Sequence, residues 1–499
     1  MNKASQITSL KKKWATLDPK EMEIQWKSIH WKAIERQVNK LQSRITQATK
    51  EGKKSLAKKL QYLLTNSFFA KLLAVRKVTT NKGKNTSGID KRLWSTPASK
   101  LKGALSLKRK GYKSSPLRRT FIEKKGKKKK RPLGIPTMYD RAMQALHAMA
   151  LDPISEATAD KVSFGFRRKR STQDAAAHIF RYLRVKNSAQ WILEGDIKGC
   201  FDNINHQWML NHIPMDKRTL KQFLKAGFVY RERLFPTKEG TPQGGIVSPI
   251  LANMTLDGIE RKIKEKYWIN KKGTIDRDYN KHKVNYTRYA DDFVGTAESK
   301  EILFDIKQII KDHLKQRGLT LSEEKTLITH IDQGFDFLGW NFRKFKGKLI
   351  IKPSKASLKN ILTKIRSTIK SYRTAKQQTL IWKLNPIITG WANHHRSTAA
   401  KEAYSKVDNT VFLTLWKWAK RRHPNKPRQW IKDRYWKTDN HRTWIFSDGT
   451  FTLKLAAYTK IVRHRIIKFN ANPYLQSDKV YYIAREKQRK KWKSNMAAN

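Results

Sequence analysis

Asn285-Tyr-Thr-Arg-Tyr-Ala-Asp-Asp-Phe-Val-Gly295 decides how the rest of the chain is read. Two adjacent carboxylates, Asp291 and Asp292, stand between two short β-prone runs, the pattern of a tight hairpin that carries both acids at its tip. Side chains alternate along an extended strand, so neighbouring acids converge on one hard cation only where the backbone bends. A cation held in this way usually serves phosphates. Upstream, Trp191-Ile-Leu-Glu-Gly-Asp196 reads as an apolar strand ending in an acid, with the carbonyl of Ile197 beside it and Phe201 five positions on. Asp196, Asp291 and Asp292, on two elements 95 residues apart, supply the donors of a two-metal phosphoryl-transfer site.

Charge points to the partner of that site. Lys and Arg number 108 against 40 Asp and Glu, a net +68 over 499 residues, far beyond what solubility needs. A polyanion is the natural counterpart, nucleic acid rather than membrane. No apolar run reaches the roughly 18 residues of a spanning helix, and Met1-Asn-Lys-Ala-Ser-Gln6 has no apolar signal core. A soluble, cytoplasmic protein with no membrane partner is expected. A single cysteine, Cys200, excludes an intrachain disulfide and a Cys-based zinc site. The charge is unevenly spread: Gln190 to Glu260 holds eight basic and eight acidic residues, whereas Lys346 to Tyr435 holds 22 basic and three acidic. Metal-binding acids belong in the first segment, and a surface tracking a phosphate backbone in the second.

In chain order, Ile34, Val38, Leu41 and Ile45, then Leu56, Leu60 and Leu63, predict a helical hairpin with a basic outer face, in which Trp14, Trp26 and Trp31 pack. Asn81 to Asp90 is a loop. Two β-prone runs between Leu117 and Pro136 flank Lys124-Lys-Gly-Lys-Lys-Lys-Lys-Arg131, seven of whose eight residues are basic. This loop is expected to grip phosphate, with Arg131 offering a forked donor. Ser163-Phe-Gly-Phe-Arg-Arg-Lys-Arg170 leads into Ser171-Thr-Gln-Asp174, a helix start, which sets Arg167 and Arg170 beside a helix N-terminus to meet a primer or template. Gly240 to Pro249 is a glycine loop before a helix over Ile250 to Ile263; Ile302 to Leu314 is an amphipathic helix; Phe335 to Trp340 reads as a strand with a central glycine. Leu358, Ile361, Ile365 and Ile369 begin a run of helices with a free basic face, a second segment starts at Asn385, and a third spans Val407 to Arg422. His394 and His395 have no acid or cysteine at ligand spacing. Beyond Trp436 the pattern weakens, and Arg485 to Lys493 reads as a nucleic-acid arm or a frayed helix.

Tyr289-Ala-Asp-Asp292 resembles the catalytic box of reverse transcriptases, and five companions occur in the right order. These are Arg131-Pro-Leu-Gly-Ile-Pro136, Asp196 to Asp202, Pro242-Gln-Gly244, Ser322-Glu-Glu-Lys-Thr326 and Phe337-Leu-Gly-Trp340. Trp26-Lys-Ser-Ile-His-Trp-Lys32, Asn81 to Asp90, Asn385 to Arg396 and Lys420-Arg-Arg-His-Pro424 are similar to segments of the group II intron-encoded reverse transcriptases and maturases. The resemblance implies an α+β right-hand polymerase. Residues 1–90 would be a helical N-terminal extension, 91–345 fingers and palm around an antiparallel sheet, 346–435 a helical thumb or maturase domain, and 436–499 a basic DNA-binding region. It implies two Mg²⁺ ions, replaceable by Mn²⁺, on Asp196, Asp291, Asp292 and the Ile197 carbonyl. By the same resemblance Phe201 would exclude the ribose 2′-hydroxyl, Gln243 would line the dNTP pocket, and Arg131 with Lys124 would hold the triphosphate. Lys325 would protonate pyrophosphate, and Leu338 with Gly339 would position the primer. The partners implied are group II intron RNA, an RNA template with a DNA primer or target, and dNTPs. Asn470-Ala-Asn-Pro-Tyr474 and Val480-Tyr-Tyr-Ile-Ala-Arg485 resemble the lead into a His-Asn-His endonuclease, whose Cys pairs do not follow. Second-strand nicking is therefore not expected. Two other readings share these features: a splicing factor without polymerase activity, and a reverse transcriptase recruited to repair or defence.

Overall fold

Four helices fill the N-terminal region, Pro19–Ser28, Trp31–Lys50, Lys54–Asn66 and Phe68–Thr80, in a computed structural model that describes residues 13–123, 130–439 and 442–494. Asp18 opens the first with a reciprocal cap, its side chain accepting from the Glu21 amide while Glu21 accepts from its own. Trp26 and Trp31 meet edge to face at 5.1 Å and Trp14 meets Phe68 at 5.5 Å, so the tryptophans pack, as their spacing predicts. The predicted hairpin forms, with Trp31–Lys50 and Lys54–Asn66 packed on each other, but it does not stand alone. Its helices lie on the long helix Met138–Thr158, and Gln42 donates to the Met149 carbonyl at 2.8 Å inside the joint. One apolar core accordingly runs from Trp26 to Phe342 with no break near residue 90.

The fingers sheet has the order β2-β1-β4-β5, from β1 (Leu117–Ile122), β2 (Arg131–Ile135), β4 (Phe228–Tyr230) and β5 (Arg233–Phe235). Lys124 lies outside the described residues, between β1 and β2. The palm sheet is antiparallel, in the order β6-β7-β3-β8, from β3 (Trp191–Asp196), β6 (Asn285–Tyr289), β7 (Asp292–Ala297) and β8 (Leu327–His330). The helix Lys300–Lys315 covers one face through Leu303, Ile306 and Ile310, all fully buried.

Three local expectations are corrected. The helix predicted over Ile250 to Ile263 is two, Ser248–Leu256 and Ile259–Tyr267, because Gly258 at φ +102 turns the chain between them. Phe335 to Trp340 is not one strand: β9 (Phe335–Phe337) turns back into β10 (Trp340–Phe345) through Leu338 and Gly339, at φ +51 and +89, the two positive angles of a tight hairpin turn. Asn385 starts no segment, since Gln377–His395 is one helix with Pro386 inside it. Leu380, Ile381, Leu384 and Ile388 are buried on both sides of that proline, and the continuous stripe outweighs the one amide lost.

β10 continues into β11 (Lys348–Pro353), and the thumb follows: helices Lys355–Ser371, Gln377–His395, Lys401–Arg422 and Arg428–Tyr435 around a second core. The expected C-terminal unit forms no core of its own. Its first part, with β12 (Trp436–Asp439) and β13 (Arg442–Phe446), joins the thumb core through Trp436, Phe446 and Leu453. Its last part crosses back to the first core through Ile467, Ala471 and Tyr482. The latch is Asp174, which accepts from the Ile467 amide at 2.9 Å and from Arg485 at 2.6 Å and pairs with His464 at 2.9 Å. Burial would raise this carboxyl, but His464 and Arg485 outweigh it and hold it below its ordinary value. Asp174→Ala should cost about 3 kcal/mol, because it strands a buried guanidinium. Hydrogen exchange is expected to accelerate over residues 464–485 and to stay unchanged in the thumb helices. In the wild type the contribution is complete above the ordinary carboxylate range, and it is lost only as pH falls through the lowered folded value.

Candidate active site at the palm hairpin

β6 and β7 enclose a two-residue turn, Ala290-Asp291, with Ala290 at φ +58. The antiparallel register then sets Asp292 directly opposite Asp196, the last residue of β3. Opposed residues on adjacent strands share a face, with Cβ atoms about 5 Å apart. The sequence pairs Asp196 with Asp291 as the principal ligands. In the fold Asp292 is the cross-strand partner, and Asp291 stands at the turn beside both. The cluster is electrostatically strained. Burial raises the Asp291 carboxyl, and Asp196 raises it further; Asp292 is pushed up to about 7 by burial, then by Asp291 and Asp196.

One cation already meets this cluster. The chain after β3 forms a bridge from Ile197 to Leu321, and the Ser322 amide donates to the Asp196 carbonyl at 2.8 Å, which brings the turn Glu323–Lys325 alongside. Lys325 ion-pairs with Asp196, and that bond raises its pKa. In this arrangement the Lys325 ammonium is a counter-ion to the acidic cluster. Among the described residues no three ligand groups are drawn together tightly enough to grip an ion in this side-chain arrangement. The donor set nevertheless fits a hard divalent cation: three carboxylates and a strand-end carbonyl, under mutual repulsion, with an ammonium standing in at Asp196.

Loops wall the site. Phe201, in the short helix Cys200–Asn203, meets Phe166 edge to face at 6.0 Å. Gln243 donates to both carboxylate oxygens of Asp202 at 3.0 and 3.1 Å, tying the glycine loop to that helix, while its carbonyl accepts from Gly134 of β2 at 2.9 Å. Arg131 is exposed at the start of β2, and its charge is felt at Asp291. Leu338 and Gly339 mark the palm–thumb joint: His394 bonds the Leu338 carbonyl at 3.4 Å and stacks on Trp340 at 4.2 Å. His395 is fully buried against Ser357 at 3.1 Å and is kept neutral by burial.

Arg167 and Arg170 are corrected. Arg167 is buried, doubly bonded to Glu156 at 2.8 and 3.0 Å, and donates to the Asp160 and Ser163 carbonyls. Arg170 donates to the carbonyls of Lys161 and Ser163 at 2.7 and 3.2 Å. Neither presents a free fork to a nucleic acid. Both brace Val162 to Phe164, which pairs with β6 through Arg288. The partner that draws Arg167 inward is a glutamate eleven residues upstream on another element, which local sequence does not reveal.

Three supporting residues escape sequence reasoning. Arg288, fully buried, donates to Asp257 at 2.5 Å and to the Ala290 carbonyl at 3.2 Å, so it holds the turn from beneath. Gly165 lies so close to the tip that a Cβ there would stand 2.3 Å from the Ala290 nitrogen. Phe166, at φ +58, faces Phe201. For Gly165 and Phe166 the one sequence signal is a glycine between two phenylalanines in a basic run.

Comparison with known proteins gives three family matches along the chain. Residues 122–342 match the family "Reverse transcriptase (RNA-dependent DNA polymerase)", residues 26–107 the "N-terminal domain of reverse transcriptase", and residues 358–436 the "Group II intron, maturase-specific domain". Group II intron-encoded protein LtrA of Lactococcus lactis subsp. cremoris is 34% identical over 57% of this chain, which spans 56% of that protein's length. Protein YkfC of Escherichia coli is 30% identical over 62% of the chain and 88% of its own length. Apo telomerase from Candida tropicalis aligns with 66% of this chain and 61% of its own, at 14% identity and a TM-score of 0.40, a likeness too slight to argue from.

Proposed function

The chain belongs to the reverse transcriptases that carry a group II intron maturase-specific domain, and from that premise we propose that it copies intron RNA into cDNA and also binds the intron RNA to promote its splicing and retrohoming. The observation that carries the reading is the acidic cluster itself: Asp196 opposite Asp292, Asp291 at the turn, and a lysine as their only described counter-ion at Asp196. Two Mg²⁺ ions, with Mn²⁺ as a substitute, would supply Lewis-acid activation of a primer 3′-hydroxyl and neutralise charge on the departing pyrophosphate. Asp196, Asp291, Asp292 and the Ile197 carbonyl would hold them.

The remaining roles belong to the chain's own side chains. Arg131, with Lys124, holds the triphosphate. Phe201 fills the space a 2′-hydroxyl needs, and Gln243 orients the incoming nucleotide. Lys325, released from Asp196, hands a proton to pyrophosphate, and the Leu338–Gly339 turn seats the primer end. The thumb's exposed lysines and arginines, Lys359, Lys370 and Arg373 among them, follow the RNA backbone. Its affinity should fall linearly in log–log form with salt, each phosphate contact adding about 0.7–0.9 to the slope, as a titration across salt concentrations would measure. Among the described residues no helix is long and apolar enough to cross a membrane.

Primer extension on an RNA template with dNTPs and Mg²⁺, run beside intron RNA binding, tests the proposal. Extension together with binding is expected. Binding without extension would leave a splicing factor alone, and the absence of both would overturn the whole reading.

A further inference from the structure

A cavity of about 190 Å³ opens at the outer edge of the palm sheet, between β6, the helices Thr172–Leu183 and Ile259–Tyr267, and Phe469 of the returning C-terminal segment. It is separate from the acidic tip, since Tyr286 lies five residues before Asp291, roughly 15 Å along the strand. Tyr182, Trp268, Tyr286 and Phe469 wall it. Trp268 is fixed by its indole N–H donating to the Val284 carbonyl at 2.9 Å, and Lys264 sits over its ring at 4.5 Å. An apolar cavity of about 150 Å³ takes up benzene, so this one has room for a single aromatic ring system.

The aromatic walls and the charge at the mouth point to an anionic, ring-bearing occupant rather than a void. Tyr286 lines the cavity with its hydroxyl buried and without a hydrogen-bond partner. Lys161, Arg181 and Arg277 also line the opening, are exposed, and have no salt bridge among the described residues. The one acid present, Glu260, is already taken by the Val162 amide and by Lys264. His178, between them, stays neutral: burial lowers it to about 3, and Lys264 and Arg181 add to the effect.

We propose that this cavity binds one unstacked nucleotide, the base against Trp268 and Tyr182 and the phosphate on Arg181 and Arg277. The inference deepens the reading of the chain as an RNA-binding protein and rests on it. A nucleotide turned out of an RNA strand would anchor the intron at the back of the palm, away from the template path.

The test is photocrosslinking of the full chain to a short single-stranded RNA carrying 4-thiouridine, with the adducts mapped by mass spectrometry. Adducts on Tyr182, Trp268 or Tyr286 are expected. Arg181→Glu combined with Arg277→Glu, both at exposed positions, should lower their yield about tenfold while primer extension and the melting temperature hold. Suppression of the adduct by excess uridine 5′-monophosphate would assign the site to free nucleotides, and persistence to a nucleotide within a strand; either upholds it. RNA bound and primers extended with no adduct in the cavity would overturn this inference alone. Absence of all RNA binding would overturn it together with the reading beneath it.

Discussion

Asp291→Asn reduces RNA-templated synthesis by about 10³-fold or more, while RNA affinity stays within about twofold of wild type and the melting temperature rises. The loss would follow from removing one of the three carboxylates proposed to hold the metal ions, a contribution of several kcal/mol. The gain in stability follows from the electrostatics of the cluster. Asp291 and Asp292 are both raised by burial and by neighbouring acids, so the folded state carries repulsion that the unfolded chain does not. Neutralising one carboxylate relieves it, for an upward shift of about 1–2 °C. If the cluster holds Mg²⁺ as proposed, the ion should raise the melting temperature of the wild type, because only the folded state offers the site, and should raise that of the variant less. A variant that keeps a tenth of the activity, or that melts lower, would remove Asp291 from the site. Primer extension and calorimetry with and without Mg²⁺ give both readouts.

Gly165→Ala lowers synthesis by about a hundredfold without touching any charged or metal-binding group. The added methyl would stand 2.3 Å from the Ala290 nitrogen and 2.9 Å from the Tyr289 carbonyl carbon. Both are backbone atoms of the turn that carries Asp291, so the turn must move. Gly165 cannot yield easily, since Asn253 donates to its carbonyl at 2.8 Å and the adjoining Phe164 is paired to β6. A displacement of about 1 Å at reacting groups is enough for a hundredfold loss. Gly295→Ala is the control: it lies on β7 of the same hairpin, and its nearest atom would be the Leu193 Cβ at 3.6 Å, an ordinary contact. Single-turnover primer extension should separate the two variants. Equal activities would mean that Gly165 does not set the position of the tip.

Much of this architecture is readable from local pattern. The hairpin around Asp291, the acid at the end of β3, the helix from Ser171 and the helix Lys300–Lys315 each follow from periodicity and caps confined to a few neighbouring residues. Misreadings arise where a distant element decides. The basic run at Arg167 reads as a free surface because Glu156 belongs to another helix. The helix through Pro386 reads as broken because the buried stripe that sustains it faces partners elsewhere in the thumb. The C-terminal region reads as a separate unit because its anchors, Asp152 for Tyr474 and Asp174 for Arg485, lie some 300 residues upstream.

By itself the amino-acid order determined the chemistry on offer: three acids at two strand ends, a basic thumb, a cationic loop and the turn residues that shape the tip. Only the tertiary structure decided that Asp292 rather than Asp291 stands opposite Asp196, that Lys325 is their counter-ion, and that Gly165 and Arg288 hold the turn from two sides. The division has one physical cause. Turns, caps and periodicity act over a few residues, whereas register, burial and ion pairing depend on which surfaces meet once the whole chain is packed.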